Sequence, residues 1–201
     1  MSTSDVAICN RALHKLGAGT ITSLSENKEK ARVMNVAFEP VRRAELRRHR
    51  WRFSIKRASL AALAAAPDSD YSFQYQLPND FLRLIEGGAL TNMADLTDFR
   101  ASSTALYSVE GGKILTNIGA PLPIRYIADI TDASLFDSCF VESFAARLAL
   151  ESVERITEST TKRADLAQDY RTSIREATRA NALEVAAESS ADSEWVTARA
   201  Q

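Results

Sequence analysis

The sequence predicts an α+β fold, mainly α: a bundle of long helices from both chain ends, with a small, mostly antiparallel β-sheet inserted in the middle and an extended C-terminal tail. Three observations predict it. Apolar residues recur at three- and four-residue steps near both ends of the chain. Between about residues 71 and 130 the period changes, and apolar and polar residues alternate. Within that stretch Gly111-Gly112 separates two strand-like runs, and paired glycines tolerate the positive φ angles of a two-residue hairpin turn.

In the first helix, about residues 4 to 16, Val6, Cys9, Leu13 and Leu16 form the apolar stripe after polar Ser2-Thr3-Ser4, and Gly17 stands where a left-handed cap belongs. Gly17 to Ser25 is a connection. A second helix runs to about Arg48 with Met34, Ala37 or Phe38, Val41 and Ala44 as its buried stripe, and Pro40 inside it predicts a kink. Leu60, Leu63 and the surrounding alanines predict a short third helix, which Pro67-Asp68-Ser69-Asp70 ends.

Phe73, Tyr75 and Leu77 alternate with Gln74 and Gln76, and Phe81, Leu82, Leu84 and Ile85 follow the turn Pro78-Asn79-Asp80, so two strands are expected. Residues 87 to 104 read as loop or short strand, with Gly87-Gly88 as turn chemistry. Residues 105–110 and 113–116 are the arms of the hairpin, and Ile124 to Ala128 is a further strand.

Helical spacing returns from Ser134, with Phe136, Phe140, Phe144 and Leu148 at four-residue steps and Ser134 to Asp137 as the N-terminal cap, and it lasts to about Thr157. After the polar break Glu158 to Thr161, a last helix carries Leu166, Tyr170, Ile174 and Ala177 and ends near Ala187. The organisation is one domain, 1–187, with helical parts 4–66 and 134–187 around a β insertion 71–130, followed by an extension, 188–201.

Composition limits what the chain can do. Its 201 residues are 45% apolar, 25% charged and 7% aromatic, as in a globular protein of one domain or at most two. A chain of this size hides roughly 70% of the surface its unfolded form exposes. The 25 basic and 26 acidic side chains leave a formal charge of −1, so the molecule is no polycation, and any electrostatic function is local. Cys9 and Cys139 stand alone, without the neighbours that a disulfide framework or a cysteine zinc site needs. The first residues carry no basic segment followed by an apolar one, and the alanine-rich stretch 58–66 is too short to span a bilayer, so a cytosol-like compartment and no membrane partner are expected.

One constellation dominates. Arg42, Arg43, Arg47, Arg48, Arg50, Arg52, Lys56 and Arg57 place eight cations in sixteen residues, with Glu45 the sole acid among them. If all eight met phosphates, the log–log salt slope of binding would be about −7. A helix turns 100° per residue, so Arg43, Arg47 and Arg50 share a face while Arg42 and Arg48 point elsewhere. The run is therefore open to three uses: intrachain pairs, docking to a protein, or contact with nucleic acid. Trp51 and Phe53 inside it serve either as core anchors or as stacking platforms for single-stranded bases.

Other candidates are thinner. His14 and His49 lack ligand spacing for a metal. No nucleophile elbow, phosphate-binding loop or dinucleotide fingerprint occurs, and no cofactor is expected. Glu151, Glu154 and Glu158 fall at helical spacing and could imitate a glycosidase acid pair, but Arg147 and Arg155 beside them oppose the raised carboxyl pKa that such chemistry requires. Glu194, Trp195 and Val196 put a large aromatic into a small, polar tail, where it either folds back or docks on another molecule.

The run Asn10 to Gly17, then Ile21-Thr22-Ser23-Leu24, then a helix through Leu46 to Trp51-Arg52-Phe53, resembles the start of the tail tubular protein A-like head-to-tail adaptors of bacteriophages. The resemblance continues through residues 75–83 (Tyr75-Gln76-Leu77-Pro78-Asn79-Asp80-Phe81-Leu82-Arg83), Val109 to Thr116, Ile124-Arg125-Tyr126-Ile127, and Phe136-Asp137 to Leu148, and covers about residues 4 to 180. It implies a structural virion protein without catalytic centre or cofactor. Such a subunit forms a ring, usually of twelve copies, beneath the portal protein at the head-tail junction, and is assembled in the bacterial host cytoplasm. The ring presents a platform to the downstream tail or nozzle protein, and genomic DNA passes through its lumen without sequence-specific binding. The family's C-terminal segment commonly reaches the portal, and residues 188 to 201 with Glu194, Trp195 and Val196 occupy the matching place. The basic run would then form a band facing either DNA or an acidic portal surface. Two rival readings are a non-specific nucleic-acid-binding protein that uses 42–57, and a carboxylate-dependent peptidoglycan hydrolase.

Overall fold

A computed structural model describes residues 3–85, 107–157 and 159–184. The chain is α+β and mainly α. The described residues form four helices, α1 (Asp5–Lys15), α2 (Glu29–Arg48), α3 (Ser138–Thr157) and α4 (Thr160–Leu183), and six strands that lie between the two helical pairs in sequence: β1 (Ile55–Leu60), β2 (Phe73–Gln76), β3 (Phe81–Ile85), β4 (Tyr107–Glu110), β5 (Lys113–Thr116) and β6 (Leu122–Ala128).

Local chemistry sets the helix ends. The Ser4 hydroxyl accepts from the Ala7 amide at 3.2 Å and starts α1. At the other end Gly17 takes φ +68°, its amide bonds the His14 carbonyl and the Ala18 amide bonds the Leu13 carbonyl, which is the paired return of a Schellman cap. The connection that follows is clipped to α1 by Asn10, whose side chain donates to the Ile21 carbonyl at 2.9 Å and accepts from the Ile21 amide at 2.8 Å. Pro40 lies inside α2 and is exposed. The residue four positions earlier, whose carbonyl loses its donor, is Val36 on the same exposed side, so the forfeited bond costs little.

α3 is the central helix and packs against α1, α2 and α4. Its Phe140 joins both halves of the chain, with ring centroids 5.0 Å from Trp51, 5.1 Å from Phe53, 5.1 Å from Phe136 and 5.6 Å from Phe144. Phe144 continues the stack to Phe38 of α2 at 5.2 Å. Leu166, Tyr170 and Ala177 of α4 are buried, as their spacing predicts, and Ile174 is half-buried.

The β region forms two three-stranded antiparallel sheets, ordered β1-β6-β3 and β2-β5-β4. Gly111 and Gly112 turn the β4–β5 hairpin with φ +53° and +74°. An isolated bridge between Ala62 and Tyr75, and the Leu63 amide bonded to the Gln74 carbonyl at 2.9 Å, tie the sheets together. Tyr75, Ile114, Leu122 and Ile127 are fully buried and belong to the same core as the helices.

Several expectations are corrected. The third helix does not form: residues 55–60 are β1, which pairs along its whole length with β6, so the helical part of the N-terminal half stops at Arg48 and the sheet borrows a strand from outside 71–130. Long-range pairing overrides the local preference of alanine for helix. The helix expected from Ser134 begins at Ser138, after a 3₁₀ turn at Ala133–Leu135. Asp137 is its cap, with Oδ1 accepting from the Cys139 amide at 2.8 Å and the Phe140 amide at 3.2 Å. α4 ends at Leu183, short of Ala187. On α2, Ala44 is exposed and Glu45 takes the buried position. The expectations for residues 87–104 and the tail 188–201 lie outside the described residues.

Candidate functional site

The basic run divides into two groups. The first is held by intrachain partners. Arg42, buried on α2, meets Asp129 at 3.0 Å, and Arg43 reaches the other oxygen of that carboxylate at 3.4 Å. Arg48 donates to the Tyr170 hydroxyl at 2.9 Å and lies 3.8 Å from Glu45. Lys56 bonds Asp80 at 2.7 Å, where Asp80 also accepts from the Tyr126 hydroxyl at 2.9 Å. Burial alone would raise the Asp80 pKa, but these two bonds outweigh it and hold the carboxyl below its ordinary value.

The second group has no acidic partner among the described residues. Arg47, Arg50, Arg52 and Arg57 are exposed and form no ion pair there. Arg47 uses one guanidinium nitrogen to bond the Leu82 carbonyl of β3, which brings the end of α2 against the sheet. The backbone of Arg50 and Arg52 is tied to α4 through Asn181, at 2.9 Å in both bonds.

Two arginines that the sequence reading passed over complete this group. Arg57 of β1 lies directly opposite Arg125 of β6, and Arg125 lies opposite Ile85 of β3. Side chains two residues apart share a strand face, so Arg83 points to the same side as Ile85 and Arg125. Arg83 is half-buried, and burial together with the charges of Arg50 and Arg47 lowers its pKa from the ordinary value. Arg125 is half-buried with its Nε wholly enclosed and unbonded. The sheet face and the end of α2 thus gather Arg47, Arg50, Arg57, Arg83 and Arg125. Their signal in the sequence is a single cation interrupting an otherwise apolar strand, in Phe81-Leu82-Arg83-Leu84-Ile85 and in Ile124-Arg125-Tyr126-Ile127.

Trp51 is a core residue with 1% exposure, and its indole Nε1 donates to the Glu45 carbonyl at 2.9 Å. Phe53 is half-buried against the same aromatic cluster. Of the two stacking platforms considered above, Trp51 is therefore inside the protein and Phe53 is engaged at the edge of its aromatic cluster. His49 packs edge-on against Trp51 at 5.5 Å, and burial, then Arg48 and Arg83, lower its pKa. His14 is exposed on α1. No group of three or more potential metal ligands occurs among the described residues.

Glu151 and Glu154 are exposed on α3, where Glu151 meets Arg147 at 3.5 Å and Glu154 meets Arg163 of α4. Glu158 is outside the described residues, as are Glu194, Trp195 and Val196. Glu151 also borders a groove of about 490 Å³ between α2 and α3, lined on the α2 side by Val33, Val36 and Pro40. Cys9 is buried, and burial pushes its thiol up to about 12, with Asp5 adding to the shift, so it is a core residue. Cys139 is half-buried and free. No helix of the described residues is long and apolar enough to cross a membrane. No protein-family model matches the chain, and no curated protein is significantly similar to it.

Proposed function

We propose that this chain is the subunit of a ring-forming head-to-tail adaptor, a structural virion protein that sits beneath a phage portal and joins it to the next tail component. The observation that carries the reading is where the motifs of the resemblance fall. Asn10 is the clip that fixes the Ile21 loop to α1, and Trp51 is the buried corner between α2 and β1. Residues 75–83 make the β2–β3 passage, Val109 to Thr116 the hairpin, and Ile124 to Ile127 the central strand β6. Phe136 to Leu148 supplies the aromatic centre of the core. The motifs are therefore framework positions that build one helical subunit with a β insertion.

A ring suits the rest of the surface. Twelvefold repetition converts weak single contacts into firm attachment, because each engaged copy raises the effective concentration of the next. Residues 188–201, with Glu194, Trp195 and Val196, are the segment for docking on the portal, and burying one tryptophan there contributes roughly 2 to 3 kcal/mol per copy.

Electron microscopy of the purified chain, alone and mixed with portal rings, tests the reading. Closed rings that seat on the portal are expected, and removal of 188–201 abolishes seating while leaving the melting temperature unchanged. A chain that stays monomeric with portal present, or a truncated ring that docks with full affinity, rejects the ring or the tail assignment respectively.

A further inference from the structure

We infer that the arginine face built by Arg47, Arg50, Arg57, Arg83 and Arg125 binds the phosphate backbone of duplex nucleic acid without reading its sequence. The inference deepens the adaptor reading and rests on it for the biological setting, but its physical basis is the face itself.

Like charges set directly opposite on neighbouring strands destabilise a sheet. Arg57 and Arg125 are such a pair, and Arg83 sits among Arg47 and Arg50 with its charge disfavoured by both. Several cations elsewhere, Arg42, Arg43, Lys56, Arg147 and Arg163 among them, meet carboxylates, and those that do not are not gathered against one another as Arg47, Arg50 and Arg83 are. On this face no described acid pairs with the arginines, in a protein whose total charge is −1. The compensating anion is therefore expected from outside.

The chemistry of the face selects the class of anion. All five groups are guanidinium forks, which engage phosphate oxygens two at a time. Three strands spaced about 4.8 Å apart span about 10 Å. Across about 10 Å of axis a duplex presents about six phosphates, whereas a folded protein surface mixes both signs. Partner proteins are also gripped by apolar anchors. Among the described residues the large exposed apolar side chains are Val36, Leu63, Phe73, Val109, Leu135 and Leu183, and none lies on the strand face that carries the arginines. With Trp51 buried and Phe53 packed against the core, no described aromatic residue on this face is placed to stack on unpaired bases, which favours the duplex over the single strand.

The test is fluorescence anisotropy of a short mixed-sequence duplex with the full-length chain across about 50 to 200 mM salt, with poly-glutamate as the acidic-protein competitor. Five phosphate contacts give a log–log slope of about −4.5, so affinity falls about 500-fold over that range. Arg57→Gln with Arg125→Gln flattens the slope by about 1.8, and Arg50→Gln, an exposed change that guards against misfolding of the first variant, flattens it by about 0.9. Arg57→Lys with Arg125→Lys keeps the slope, and Arg163→Gln on α4 leaves it unchanged. Absence of duplex binding at about 50 mM salt, an unaltered slope in both glutamine variants, or stronger binding of poly-glutamate than of duplex each overturns the inference. Rings that seat on the portal yet ignore DNA remove only this inference, and a chain that binds DNA but never forms a ring removes only the adaptor reading.

Discussion

The Tyr170 hydroxyl of α4 donates a 2.7 Å hydrogen bond to Glu45 Oε1 of α2, and that carboxylate is 2% exposed. The same hydroxyl accepts from Arg48 Nη1 at 2.9 Å, and the Arg147 guanidinium lies 5.5 Å over the tyrosine ring. One phenol therefore links α2, α3 and α4 through a polar contact inside an apolar bundle. The Tyr170 pKa is pushed up to about 12, by burial first and by the Glu45 carboxylate second, so it is a fixed donor at physiological pH.

Removing that donor while keeping the ring isolates its contribution. In Tyr170→Phe, Glu45 Oε1 loses its hydrogen bond while Oε2, already buried and unbonded, stays so. Leaving a buried acceptor unsatisfied costs about 1 to 3 kcal/mol. Chemical denaturation should show that loss with an unchanged m-value, and a variant as stable as the parent would mean the bond is energetically idle.

Glu45 and His49 give the stability opposite slopes with pH. Burial raises the Glu45 pKa above its unfolded value of 4.5, with the Tyr170 bond and the Arg48 charge offsetting part of the rise. Its contribution is thus complete below about pH 4.5 and is lost as pH rises through the folded value. Burial lowers the His49 pKa from 6.5, and Arg48 and Arg83 lower it further, so its contribution is complete above about 6.5 and is lost as pH falls through the lower folded value. Glu45→Gln, which keeps an acceptor for Tyr170, should gain stability on the parent as pH rises from 5 to 8. His49→Gln should gain on it as pH falls from 7 to 5. Parallel pH profiles for parent and variants would contradict both.

Legibility in the sequence follows the range of the interactions. The hairpin at Gly111-Gly112, the Gly17 cap and the stripe Leu166, Tyr170 and Ala177 are decided within a few residues, and all can be read directly. β1 cannot: Ile55 to Leu60 becomes a strand because β6, more than sixty residues on, supplies its pairing, and nothing local announces that. The same distance hides the site. The contiguous run Arg42 to Arg57 is visible as a charge block, yet Asp129, Asp80 and Tyr170 claim half of it, and Arg83 and Arg125 join the remainder only once the strands are in register. Swapping Ala44 for Glu45 on the buried side of α2 follows from the Tyr170 contact, which a hydropathy pattern cannot contain.

The α3 cap offers a local test. Asp137 Oδ1 accepts from two amides at the start of the helix whose Phe140 centres the core. Asp137→Ala should cost about 0.5 to 2 kcal/mol, and Asp137→Asn or Ser should restore most of it. Thermal unfolding reads the difference directly. Equal destabilisation by alanine and serine would show that the cap geometry, and not the helix start, is misassigned.

Asp129 provides the sharpest separation between structural and functional cations. Its carboxylate holds Arg42, whose side chain is 8% exposed, and Arg43, while its amide donates to the Asp80 carbonyl at 2.7 Å, at the junction of α2 with β3 and β6. Asp129→Ala strands the Arg42 charge in the interior, and breaking a buried pair from one side costs about 3 to 5 kcal/mol. Removing both charges with Arg42→Met and Asp129→Leu should recover much of that loss, since the double variant leaves no buried ion unpaired. Neither change touches Arg57, Arg83 or Arg125. The double variant should therefore bind duplex with the parent salt slope, while the Arg57→Gln, Arg125→Gln protein should be at least as stable as the parent, because the opposed like charges are gone. If loss of the Arg42–Asp129 pair instead flattened the salt slope, the division of the basic run into anchored and free arginines would be wrong.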